Sequence, residues 1–166
     1  DSEYEQEFEV SFEAAVIGAY YGKEFKALEE EGRIREIEYD RAHPVYSAWD
    51  LGYTDSTAIW IFQTILGEIR VLDYYANNGQ DVAHYANVLK SKGYKYDRHY
   101  LPHDARAKTL ASNKSVIEQL ADHLGLSSLK IVPNLSVQDG IQAARLVFPK
   151  IWFDPRCETG YEALKL

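Results

Sequence analysis

Two aspartates in this sequence sit where a carboxylate can do chemistry. Asp50 closes the apolar run VYSAWD and is followed by Leu51, Gly52 and a polar turn, so its side chain reaches the rim of whatever sheet that run joins. Asp104 has a similar setting at the end of YLPHD, a short run that follows a helical stretch and can pair in parallel with the first. Such a pairing brings both carboxylates to one rim. Oxygen ligands suit hard divalent cations, Mg²⁺ or Mn²⁺, and clustered negative charge is neutralised by them. Two such ions about 3.5 to 4 Å apart can activate a water and stabilise the leaving oxygen of a phosphodiester. The competing role for either aspartate is to form a turn or cap a helix, which strand-end aspartates commonly do.

The elements that must position these groups follow from periodicity. VYSAWDLG, TAIWIFQTIL and EIRVLDYYA are β-branched and aromatic runs split by GYTDS and LGE, which predicts three adjacent antiparallel strands. DVAHYANVLKSKGYK places Val82, Tyr85, Ala86 and Leu89 on one helical face that ends at Gly93, and RHYLPHDA returns to strand. Helix NKSVIEQLADHLG, strand LKIVPN, helix SVQDGIQAARLVF and strand IWFDP complete an alternation that implies a parallel portion of the sheet. The expected fold is mixed α/β: three antiparallel strands, then parallel ones, flanked by helices.

Composition bounds the partners. With 166 residues, 46% hydrophobic, the chain can fill one ordinary core. It contains no apolar run of about 18 residues, and its acidic opening DSEYEQEFEV is unlike a signal peptide, so the reading is a soluble intracellular protein with no membrane partner. The net charge of −8 is uneven: residues 1–40 hold 13 acidic and 4 basic side chains, leaving 13 acidic and 14 basic for the remainder. A nearly neutral body with a carboxylate cluster leaves room for a basic DNA-facing surface. The acidic bias stops near Pro44, which sets the expected division: an acidic connector over 1–42 and a catalytic domain over 43–166. The lone Cys157 cannot form an internal disulfide, and His43, His84, His99 and His123 lack the spacing of a zinc site. The chain contains no methionine, which marks it as a processed product or a piece of a longer protein.

YSAWDLGYTDSTAIWIF, followed by VLDYYANNGQDVAHYANVL and YLPHDA, resembles the nuclease domain of bacteriophage terminase large subunits. FEVSFEAAVIGAYYGKEF before HPVYSAWDLGYTDSTAI is similar to the passage from the packaging ATPase into that nuclease. The resemblance implies an RNase H-like fold and an endonuclease that cuts concatemeric double-stranded viral DNA during packaging in the host cytoplasm. It also implies two divalent cations, Mg²⁺ or Mn²⁺, held by three acidic residues. Two of these fall on Asp50 and Asp104. The third belongs to a helix near the C-terminus, usually in a segment rich in His and Asp, and no such segment precedes Leu166. The domain is therefore expected to be C-terminally truncated and inactive or weakly active. The implied partners are an upstream ATPase domain, the portal and the small terminase subunit.

The remaining polar residues carry two readings each. Asp55 is either an auxiliary metal ligand or the residue that holds its turn. Arg106, Lys108 and Lys114 either contact DNA phosphates or are solvated, with phosphate contact preferred. Asp73 reads as structural, Asp139 as a solvated helix position, Glu158 as compensation of a helix dipole in a first turn, and His103 as a packing residue on the face opposite Asp104. Resolvases, integrases and transposases share the chemistry and fold, and DLGYTDSTAIWIF also resembles the phosphate hairpin of actin and Hsp70-like ATPases. A docking module without catalysis is the alternative outside enzymes.

Overall fold

The computed structural model describes residues 21–51, 56–107, 113–134 and 137–165. Strands β1 (Val45–Leu51), β2 (Ser56–Ile65) and β3 (Glu68–Asn78) form the expected antiparallel meander. Alternation along the strands sends Tyr46, Ala48, Trp60 and Phe62 to one face and Val45, Trp49, Ile59 and Ile61 to the other. The β2–β3 turn has two residues, Leu66 (φ 52°) and Gly67 (φ 79°), both left-handed, which matches the twist of a tight hairpin.

Helix α2 (Val82–Ser91), whose N-cap Asp81 accepts from the His84 amide, leads to β4 (Tyr96–Leu101), parallel to β1. Helix α3 (Val116–Leu124), capped by Ser115, leads to β5 (Leu129–Ile131), parallel to β4. Helix α4 (Val137–Val147) precedes β6 (Ile151–Phe153), which pairs in parallel with the far edge of β3, and α5 (Glu158–Leu164) follows. The sheet order is β5-β4-β1-β2-β3-β6, a mixed sheet with an antiparallel centre and parallel additions, as the sequence predicts. Glu158 opens α5, consistent with its reading as a first-turn acid.

Helices cover both faces. Tyr85, Ala86 and Leu89 of α2 and Leu120 of α3 pack with Val45, Trp49, Ile59 and Ile61. On the other face α4 and α5 contribute Ala144, Val147, Tyr161 and Leu164, joined by Phe25 and Leu28 of α1 (Gly22–Glu30). Burying each large side chain is worth about 1.5 to 3 kcal/mol, so packing rather than intrinsic propensity holds helices this short. Within residues 1–42, Tyr21, Phe25, Leu28 and Arg33 are thus seated in the core. Phe25 contacts the rings of Phe148, Phe153 and Tyr161. Arg33, 5% exposed, donates through Nη1 to the carbonyls of Phe148 and Ile151, both at 2.8 Å.

Two local expectations need correction. Asp104 is not on a strand: β4 ends at Leu101, Pro102 has no N–H to extend a ladder, and the chain turns into a 3₁₀ segment, His103–Arg106. In that turn Ala105 takes the buried position, and His103 is exposed rather than packed.

Candidate active site

Strands β1, β3, β4, β5 and β6 all run the same way, so their C-terminal ends share one rim. Asp50, next to last in β1, is half-buried there, and its strand partner is Ala58, itself paired with Ala76. One step down the same face lies the row Ala48, Trp60 and Tyr74, with the Trp60 and Tyr74 rings 4.5 Å apart. Helix α5 closes on that row so tightly that a Cβ on Gly160 would lie 2.6 Å from Trp60 Cη2 and 2.8 Å from Tyr74 Cδ2. The Ala58 and Ala76 row beside Asp50 is less covered: Ala58 is half-buried and Ala76 exposed. Bulky rings support α5, and small side chains leave the sheet open next to the carboxylate.

Asp104 comes to the same rim from the turn after β4 and is exposed. The two aspartates act on one another. Burial, first, and the neighbouring Asp104 charge, second, push the Asp50 carboxyl up to about 6. Tyr74 belongs to the same surroundings, its hydroxyl raised by burial and by the Asp50 charge. Sequence reading misses Tyr74, although its place on the Asp50 face follows from strand alternation once the hairpin register is known.

Asp55 and Lys108 lie outside the described residues. Arg106 is exposed on the Asp104 turn. Lys114 forms an open ion pair with Asp122 at 3.7 Å. Asp73 points to the opposite face, where it accepts from Lys92 Nζ at 3.1 Å and Tyr94 Oη at 3.2 Å, a structural role. Asp154 caps the turn after β6, accepting from the amides of Ile37 and Arg156, and the bonds and charge of Arg156 help hold its carboxyl below the usual range against burial. Asp139 is exposed on α4. Among the described residues no three His, Cys, Asp or Glu side chains form a metal cluster.

The model of the terminase RNase H-like domain matches residues 47–166. The chain belongs to this terminase family. Among solved structures it is similar to the large terminase nuclease domain of P22, at 19% identity and a TM-score of 0.61, over 82% of this chain and 75% of that one. It is similar too to the nuclease domain of the large terminase of bacteriophage SPP1, solved with bound Mn, at 16% identity and a TM-score of 0.61, over 79% and 75%. Against a large terminase from a thermophilic bacteriophage the figures are 15% and 0.59, over 80% of this chain but 33% of that one. At such identities these likenesses establish the fold: this terminase-family chain is built as terminase nuclease domains are. The comparison with curated protein sequences found no match. Among the described residues no helix is long and apolar enough to cross a membrane.

Proposed function

We propose that this chain is the nuclease domain of a phage terminase large subunit, a metal-dependent endodeoxyribonuclease that cuts concatemeric double-stranded DNA during genome packaging. The observation that carries this reading is that Asp50, near the end of β1, and Asp104, in the turn after β4, come to one sheet rim within the residues matched to the terminase family. A half-buried carboxylate raised by a second carboxylate fits a hard cation, which would relieve both the burial and the repulsion. Divalent cations bound there, Mg²⁺ or Mn²⁺, would supply an activated water and charge stabilisation at the leaving oxygen.

In this reading Asp50 and Asp104 are the metal ligands, with Asp55 a candidate auxiliary ligand. Helix α5 and the Trp60 and Tyr74 rings brace the sheet one step below Asp50 on the same face. The low Ala58 and Ala76 side chains leave space for a phosphodiester to approach the carboxylates. Arg106, together with Lys108 and Lys114, is proposed to contact phosphates flanking that bond. The division into a connector over 1–42 and a nuclease domain over 43–166, an ATPase domain upstream, contacts with portal and small subunit, and action in the host cytoplasm belong to the same proposal.

A plasmid-nicking assay tests it. Cleavage should rise with Mn²⁺ and be lost in both Asp50→Asn and Asp104→Asn. Undiminished cleavage in the two variants would remove the assignment, and ATP hydrolysis without cutting would favour the phosphate-hairpin ATPase instead.

A further inference from the structure

We infer that a buried hydrogen-bond relay, His99 to Ser47 to Trp49, is the positioning device that fixes Asp50 relative to Asp104. The inference rests on the metal-site reading proposed above and adds to it residues that touch neither metal nor DNA.

Asp50 and Asp104 both lie beyond the part of their strands that pairs β1 with β4. That pairing runs from Val45↔Tyr96 to Ala48↔Tyr100, with an irregularity between Val45 and Tyr46. Three regular rungs remain, and Asp50 is two residues past the last of them, Asp104 four. Pro102 offers no ladder donor in between. Backbone pairing between β1 and β4 therefore does not reach the carboxylates.

Ser47 and His99 form the central regular rung. The two residues are 0% and 2% exposed, on the face shared with Val45, Trp49, Ile59, Ile61 and Leu101. Ser47 Oγ lies 2.6 Å from His99 Nδ1 and accepts from Trp49 Nε1 at 2.9 Å. The indole N–H can only donate, which leaves the hydroxyl its own proton and a second lone pair to meet His99 Nδ1 in either neutral tautomer of the ring. Burial keeps the ring neutral by lowering its pKa to about 4. Apolar side chains would fill this volume without desolvating any polar group. A satisfied polar network instead selects one relative placement of the two strands.

The relay ends directly behind the carboxylates. Trp49 precedes Asp50, Ala105 follows Asp104, and both are buried in the same apolar cluster. A ring held in one orientation by Ser47 presents a fixed surface to that cluster, which seats the Asp104 turn. Loss of the relay would let the Trp49 ring rotate and the two strand ends separate.

The test compares the parent with Ser47→Val/His99→Leu, which replaces the pair by apolar groups, and with His99→Asn, which keeps a hydrogen-bonding group at the position of Nδ1. Mn²⁺ affinity is measured by titration calorimetry and the folded state by thermal unfolding. The double variant should stay folded and bind Mn²⁺ about tenfold more weakly, the usual scale for lost support behind metal ligands. His99→Asn should bind nearly as tightly as the parent. Parent-like affinity in the double variant would overturn the inference. If the double variant does not fold, Ser47→Ala titrated below its own melting temperature decides by the same criterion. Asp50→Asn separates the two levels: if it binds Mn²⁺ as the parent does, the metal-site reading fails and this inference with it. If it loses binding while the double variant does not, only the relay is wrong.

Discussion

Asp50→Asn should make the folded protein more stable, and by an amount that depends on pH. The Asp50 carboxyl is raised from 3.8 to about 6 by burial and by Asp104. One pKa unit corresponds to about 1.4 kcal/mol, so at pH 7.5 the ionised Asp50 costs the fold about 3 kcal/mol as an upper bound. Its partial exposure reduces this to roughly 1.5 to 3 kcal/mol. The sign follows from the proton count. Between pH 4 and 6 the folded chain keeps a proton that the unfolded chain has released, so this contribution to stability is complete below the unfolded pKa and lost as pH rises through 6. Asparagine has no such transition. Melting of parent and variant should nearly coincide at pH 4 and differ at pH 7.5 by about 5 to 10 °C for a domain of this size. Saturating Mn²⁺ should raise the melting temperature of the parent and leave the variant unmoved. A variant less stable than the parent at pH 7.5, or a difference equal at both pH values, would refute the reasoning and favour a structural role for Asp50.

Four further outcomes rest on the same geometry. His99 has a folded pKa of about 4 against 6.5 for an ordinary imidazole, so its contribution to stability is present above pH 6.5 and lost as pH falls through 4. That is about 3 kcal/mol, opposite in sign to Asp50 over nearly the same window, so His99→Asn should remove the acid-side loss and Asp50→Asn should steepen it in pH-dependent denaturation. Gly160→Ala drives a methyl into Trp60 and Tyr74 and should cost about 1 to 3 kcal/mol in urea unfolding, with no loss expected only if α5 can lift away freely. Arg33→Ala leaves the carbonyls of Phe148 and Ile151 without their donor and should cost roughly 2 to 4 kcal/mol by the same method. Asp104→Asn removes the second cause of the Asp50 shift, so carboxyl NMR should find the Asp50 titration moved toward, but not to, its ordinary value, because burial is the larger cause.

Much of this fold is legible in the sequence because its strands are strongly periodic. The runs from Val45 to Asn78 carry alternation and turn residues together, and α2 and α3 carry both an apolar face and a cap, so local and global preferences agree. Asp104 is harder to place. Its run reads as strand up to the aspartate, and only Pro102 hints that the ladder stops earlier. The seating of α1 is hidden by charge: Lys23, Lys26, Glu29 and Glu30 occupy its exposed positions, while Tyr21, Phe25 and Leu28 are fully buried partners of residues more than 100 positions away. The relay is hidden for another reason. Ser47 and His99 are 52 residues apart, and nothing in either local sequence distinguishes a buried, bonded histidine from a solvated one until the β1–β4 register is known.

The most direct test of the central claim is anomalous diffraction from crystals grown or soaked with Mn²⁺. A manganese peak bonded to carboxylate oxygens of both Asp50 and Asp104, and absent from Asp50→Asn crystals, is the expected result. A map with no manganese at that rim, or with manganese held only by other carboxylates, would contradict it.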